Sequence, residues 1–292
     1  MDPYFTIIIP SYNRASMLSK AIDSVISQQF INWELIIVDD ASTDNTEEIV
    51  KSYNNSKIRY IRNDKNIERS ASRNKGIENA LGKYICFLDS DDYYLDNHLS
   101  SFFSIILEKN EEEAIYYCNT LEENNGVLQK VNLEINEKLN NNIERVLIAP
   151  IGSPRVCINK TILDIYKYDE SLNLGEDIEL WVRILPHYPL IYNNDYTVVF
   201  LSHNERSVAL NNKKGFIEHI RLLKKIKRED RENLISRRFY KKLLSNAYFN
   251  LGRHYKYSNE RFKTITTMLS ALLISPFHRW KEKIYYILSV KN

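Results

Sequence analysis

Hydrophobic positions in the first hundred residues switch between two arrangements. "FTIIIP" (5–10), "WELIIVDD" (33–40) and "KYICFLD" (83–89) are short apolar runs, and "KIRYIR" (57–62) alternates with period two. Runs of this length and composition predict strands. Between them, apolar residues recur every three or four positions. Leu18, Ala21, Ile22, Val25 and Ile26 mark a helix within 15–29. "STDNTEEIVKSY" (42–53) opens with capping-type residues and an acidic first turn, "ERSASRNKGIENALG" (68–82) closes on Gly82 as a C-cap, and a further helix is expected around 96–109. Such alternation predicts an α/β fold, a mostly parallel central sheet with helices on both faces.

The middle of the chain is less regular. "EENNGVLQKVNLEINEKLNNN" (122–142) is polar and reads as a hairpin or excursion, and "IGSPRVCINKTIL" (151–163) as a turn followed by a short apolar run. "GEDIELWVRILPHYP" (175–189) begins with acids and carries Ile178, Trp181, Val182 and Leu185 along one helical stripe; "YTVVFLSHNERS" (196–207) reads as a strand with a polar end. From about 212 the pattern is helical, basic and tyrosine-rich. The expected organisation is an α/β domain over 1–210 and a helical extension over 211–292.

Composition narrows the class. With 43% hydrophobic and 27% charged residues the chain is globular rather than disordered. The net charge of +2 names no partner, but twelve Lys and Arg against four Asp and Glu between 213 and 242 concentrate positive charge there. Cys86, Cys118 and Cys157 lie far apart in apolar contexts with no CxxC pair. That pattern predicts reduced core residues and a cytoplasmic protein, not a disulfide framework or a zinc site. No leader-like segment opens the sequence, and no apolar stretch reaches the roughly 20 residues of a spanning helix. The expectation is a soluble or peripheral protein.

Parallel sheets bind ligands beyond the C-terminal ends of their strands. Three predicted strands finish in polar clusters, "PSYNR", "DDAST" and "DSDD", which should emerge along one edge. In the last, Asp89 and Asp91 have D-x-D spacing. Two carboxylates about 4 Å apart repel by roughly 1–4 kcal/mol, and a hard cation, Mn²⁺ or Mg²⁺, would offset this while leaving positions for phosphate oxygens. A solvated acidic turn is the alternative, with Asp92 capping the next helix.

In order and spacing, "IIIPSYNR", "LIIVDDASTDNT", "ASRNKGIENALGKYICFLDSDD" and "LGEDIELWVRI" resemble the family-two glycosyltransferases of nucleotide-diphospho-sugar (GT-A) fold, over about residues 4–205. The resemblance implies an inverting, metal-dependent transfer from a nucleotide-sugar, with a UDP-sugar as donor and a surface-glycan or lipid-linked hydroxyl as acceptor. Pro10, Tyr12, Arg14, Asp39 and Asp40 would hold the nucleoside. Arg73, Asp89 and Ser90 would face the donor diphosphate; Asp89, Asp91 and His203 would ligate the metal. Asp177 would be the catalytic base, with Glu176 positioning the acceptor. A helix N-terminus should lower the Asp177 carboxyl pKa, making it an ionised, weak base. Structural roles stay open beside these: capping for Asp39 or Asp40, a helix start for Arg14, and surface pairs with Glu68 or Glu78 for Arg69 and Arg73.

The Q-x-x-R-W sequence of processive members is absent, which favours single-sugar addition. A phosphoreceiver reading of "IIVDD" fails because its acid pair would end the first strand, and a nucleotidyltransferase reading fails because "PSYNR" has no glycine. A degenerate binding or scaffold module remains the alternative. For a lipid-linked acceptor, the basic extension fits peripheral contact with an anionic membrane on the cytoplasmic face. A solvated helix bundle or a homodimer through the C-terminal helices fits it as well. Nucleic acid is not an expected partner.

Overall fold

A computed structural model describes residues 2–131, 139–202 and 213–289. The chain divides into two compact units, Met1–Asn136 with Ala149–Asn204, and Glu137–Ile148 with Glu205–Asn292.

The first unit is built on a mixed sheet. Its N-terminal half follows the expected alternation: β1 (Phe5–Ser11), α1 (Ala15–Ile26), β2 (Trp33–Asp39), α2 (Thr46–Ser52), β3 (Ile58–Arg62), α3 (Glu68–Asn79) and β4 (Tyr84–Phe87). Strands β3, β2, β1 and β4 lie side by side and parallel. Isoleucines and other bulky apolar residues fill β1 and β2 because both faces are covered. Phe5, Ile7 and Ile9 pack with Leu18, Ala21, Ile22 and Val25 of α1. On the other face Gly76 of α3 meets Ile8 so closely that a Cβ there would sit 2.5 Å from Ile8 Cγ2.

Beyond β4 the chain continues as β5 (Tyr93–Tyr94), α4 (His98–Glu108), β6 (Ile115–Asn124), β7 (Val127–Lys130), α5 (Asn142–Ile148), a 3-10 turn at Ser153–Arg155, β8 (Val156–Asn159), α6 (Lys160–Ile165), α7 (Glu176–Ile184) and β9 (Leu190–Leu201). Here the sheet turns mixed. β8 is antiparallel to β4 and β6, β5 is antiparallel to β9, and β9 is parallel to β6. The polar segment expected as a hairpin is one over β6 and β7. Its two-residue turn, Asn125–Gly126, has φ of 50° and 79°, the conformation that asparagine and glycine supply most readily.

Two local expectations need correction. Helix α3 ends at Asn79, so Gly82 is not its C-cap. Gly82 instead lies against β1, where a Cβ would come 2.5 Å from the Thr6 amide nitrogen. The other concerns the domain boundary: α5 falls in the second unit, not the first. Its N-terminal side is tied there: Asn141 Nδ2 donates to the Leu234 carbonyl at 2.7 Å, and the Ser236 amide donates to Glu144 at 3.1 Å. The rest of that unit is α8 (Lys213–Glu229), α9 (Arg237–Tyr257), α10 (Arg261–Ile274) and α11 (Trp280–Leu288).

Candidate active site

Strand register places three polar ends on one edge. Ser11 pairs with Asp39, and Asp39 with Arg62. On the other side of β1, the Leu88 amide donates to the Ile8 carbonyl at 3.0 Å, after which a turn closes from the Asp92 amide to the Asp89 carbonyl at 3.1 Å. In this turn Asp89, Asp91 and Asp92 each offer a carboxylate oxygen, all within 4.8 Å of one another. Such an all-oxygen, acidic donor set fits Mg²⁺ or Mn²⁺. Asp92 does not cap a helix. It is buried, accepts from the Leu201 amide at 3.1 Å, and is followed by β5; α4 begins only at His98. Its membership of the acidic cluster was hidden because a two-residue strand leaves no periodic signal.

Arg73 ties this turn to α7. Its side chain is 3% exposed, with Nη2 donating to Asp89 Oδ1 at 2.8 Å and Nη1 to Glu176 Oε1 at 2.9 Å. The guanidinium lies 5.4 Å from the centre of the Tyr168 ring. Burial acts to lower its pKa, but Asp89, Tyr168, Glu176 and Asp177 outweigh burial and raise it. Neither Glu68 nor Glu78 is its partner. Both terminal nitrogens are engaged by carboxylates, while Nε is buried without a hydrogen bond. Its neighbours on α3 hold the segment leading to α7: Asn74 exchanges two hydrogen bonds with the Tyr168 backbone, at 3.0 and 2.9 Å, and Ser70 Oγ donates to the Leu172 carbonyl at 3.2 Å. Arg69 Nε reaches Glu176 at 4.0 Å.

Gly175, at φ 73°, turns the chain into α7, and the two expected acids follow at once. Glu176 is buried and forms an ion pair with Arg73. Asp177 is half-buried. The expected lowering of its carboxyl pKa by the helix N-terminus is overturned. Burial first, then the Glu176 charge, push it up to about 7, against the lowering influence of Arg73 and the Ile178 amide. Asp89 adds to the rise, so the metal-type turn and the proposed base share one electrostatic environment.

The remaining candidates lie around the ends of β1 and β2. Tyr12 is exposed, Pro10 half-buried, and Arg14 stands at the N-cap of α1. This loop is bonded to the one after β2: the Asn13 amide donates to Ser42 Oγ at 2.9 Å, and the Thr43 amide to Asn13 Oδ1 at 2.8 Å. Asp39 is fully buried, accepting from the Ser42 amide at 2.9 Å, from Arg62 at 2.6 Å and from the Tyr60 hydroxyl. Asp40 accepts from Asn63 Nδ2 and the Ile67 amide, both at 2.9 Å and both on Oδ1. Ser90 is buried in the acidic turn. His203 lies outside the described residues.

The model of glycosyl transferase family 2 matches residues 6–158, a span holding the loops after β1 and β2, Arg73 and the acidic turn. The chain belongs to glycosyltransferase family 2. One member, the Escherichia coli UDP-Glc:alpha-D-GlcNAc-diphosphoundecaprenol beta-1,3-glucosyltransferase WfgD, is 33% identical over 190 residues, covering 63% of this chain and 71% of the relative. Several other curated relatives are longer, and the chain spans about three-tenths of their length. Among solved structures, S. aureus TarS 1–349 in complex with UDP-GlcNAc is similar at a TM-score of 0.67 and 18% identity, covering 98% of this chain and 90% of that one. The Pyrobaculum calidifontis mannosyltransferase PcManGT, in complex with GDP-Man and Mn²⁺, gives 0.63 at 15% identity, covering 99% and 86%. These likenesses establish the GT-A fold. The chain is a family-2 glycosyltransferase, and its Asp177 lies beyond the segment matched by the family model.

Proposed function

We propose that this glycosyltransferase inverts the anomeric centre of a UDP-sugar and delivers the sugar to a hydroxyl of a lipid-linked surface glycan. The observation that carries the reading is Arg73, which joins the acidic turn to the start of α7 and so holds the leaving-group side and the base side in one cluster. The donor assignment is supported by the E. coli relative, named for UDP-Glc, and by the S. aureus structure with UDP-GlcNAc. The diphosphoundecaprenol in the relative's name supports the lipid-linked acceptor.

In this reading Tyr12 offers an aromatic face to the base and Asp40 an oxygen to base or ribose. Asp89 and Asp91, with Asp92 beside them, would hold Mn²⁺ or Mg²⁺, which when bound neutralises charge on the departing diphosphate. Asp177 takes the acceptor hydroxyl's proton as that oxygen bonds to the anomeric carbon from the face opposite the leaving group. A carboxyl raised toward neutrality is a stronger base than an ordinary aspartate, suited to a proton acquired only as the oxygen becomes acidic. Arg73 and Glu176 are positioning residues, keeping Asp89 and α7 in register.

Asp91→Ala should weaken UDP–Mn²⁺ binding by about tenfold or more, the scale expected for loss of one charged ligand, and EDTA should abolish transfer. Calorimetric titration of UDP with and without Mn²⁺ checks both; nucleotide affinity that ignores Asp91 and metal would defeat the assignment. Nucleotide-sugar binding without any Asp177-dependent hydrolysis or transfer would instead favour a binding module.

A further inference from the structure

The second unit carries an apolar surface where a helical bundle should show polar residues. One side of α10 is properly buried, with Met268 and Ala271 packing against Phe249 of α9. Its opposite side is apolar too: Phe262, Leu269 and Leu273 are exposed, Leu273 at 82%. No charged residue occurs from Thr264 to Phe277, and Phe277, just past the helix, is 92% exposed. In α11, Trp280, Ile284 and Leu288 recur every four residues and, with Lys281, Tyr285 and Ser289, line an open groove of about 480 Å³. A helix apolar on two sides expects a cover on both.

Charge identifies the cover. Between Arg237 and Asn292 the sequence has twelve Lys and Arg against two Asp and Glu. Arg261 and Lys263 open α10, and Arg279 and Lys281 flank Trp280. A second copy of the chain would bring like charges face to face. A bilayer with anionic headgroups complements the basic residues and accepts the apolar ones, and tryptophan and tyrosine suit the boundary between the two. The uncharged stretch is too short to span, and among the described residues no helix is long and apolar enough to do so. The surface is held in shape from behind. Buried Lys283 of α11 donates to Ser245 Oγ at 2.7 Å on α9, and to the Ala271 and Ser275 carbonyls at 3.1 and 3.0 Å at the end of α10.

We propose that α10 and α11 form a preformed wedge that inserts into an anionic lipid surface. This differs from charge-only adsorption through residues 213–242, and only its purpose rests on the lipid-linked acceptor reading. The full chain should pellet with phosphatidylglycerol-containing vesicles at least about tenfold more strongly than with pure phosphatidylcholine. Part of that binding should survive 0.5 M salt. Tryptophan emission should shift to the blue on binding, and the shift reports Trp280, because Trp33 and Trp181 are already only 5% and 1% exposed. Leu273→Glu with Phe277→Glu should remove the shift and at least about nine-tenths of the binding, without altering UDP-sugar hydrolysis or circular dichroism. An Asp177→Asn protein should bind vesicles normally, which separates failure of this proposal from failure of the catalytic reading. Binding that disappears in salt with no emission shift would overturn insertion. So would a stable species of twice the 34.5 kDa chain mass in which Trp280 is shielded without lipid.

Discussion

Asp177→Asn should lose about 10²–10⁴ in kcat/KM yet melt at a higher temperature than the parent above neutral pH. Both effects come from one carboxyl. With a folded pKa of about 7 against a model value of 3.8, the wild type binds more protons folded than unfolded across that interval. Its stability therefore declines as pH rises from about 4 to 7, and the full cost is present above 7. Asparagine removes the cost. For a half-buried group the gain should be about 1–2 kcal/mol at pH 8, shrinking toward zero at pH 4. Below its pKa the wild-type rate should fall as Asp177 protonates, with the bend at or below 7 because a cation bound beside Asp89 favours the carboxylate. Melting curves at pH 5 and 8 with matched kinetics check all of this. Equal melting temperatures at pH 8 would mean that Asp177 is an ordinary solvated acid.

Arg73→Met should be the most damaging single change in the first unit. It leaves Asp89 and Glu176 close to Asp177 without the cation that compensates them. Removing one partner from a buried pair costs about 3–5 kcal/mol, on the order of 10 °C in melting temperature for a unit of this size. Transfer should be lost as well. Arg73→Lys separates bridging from mere positive charge: one ammonium cannot reproduce a planar fork reaching two carboxylates at 2.8 and 2.9 Å. The Lys protein should thus stay at least about tenfold impaired in kcat when stability is restored by cooling. A Lys variant with wild-type kcat would refute the bridge.

The parallel half of the sheet could be read from sequence because Ile7–Ile9 and Leu35–Val38 are unbroken apolar runs, as expected of a doubly covered strand. Asp89 and Asp91 were readable as a pair from their D-x-D spacing, and the structure gathers Asp92 with them. The partners of the site were not readable. Arg73, Ser70 and Asn74 look like solvent-facing positions of a polar helix, but they are buried, and a hydrophobic pattern counts them on the wrong side. The rise in the Asp177 pKa was missed for a related reason. A helix N-terminus is visible in "GED", whereas the charges of Glu176 and Asp89 gathering around it exist only after folding. Among the antiparallel strands β5 escaped because it is only two residues long, too brief for a period.

Gly76 sits one helical turn from Arg73, on the face of α3 that touches Ile8. Lacking a side chain, it lets the helix ride low on the sheet, and that height sets how far the guanidinium extends toward its two acids. An added methyl group would act as a shim under one end of a lever, lifting the fork off contacts that tolerate only a few tenths of an ångström. The clearance between the acidic turn and the start of α7 is thus gauged by a residue that belongs to neither.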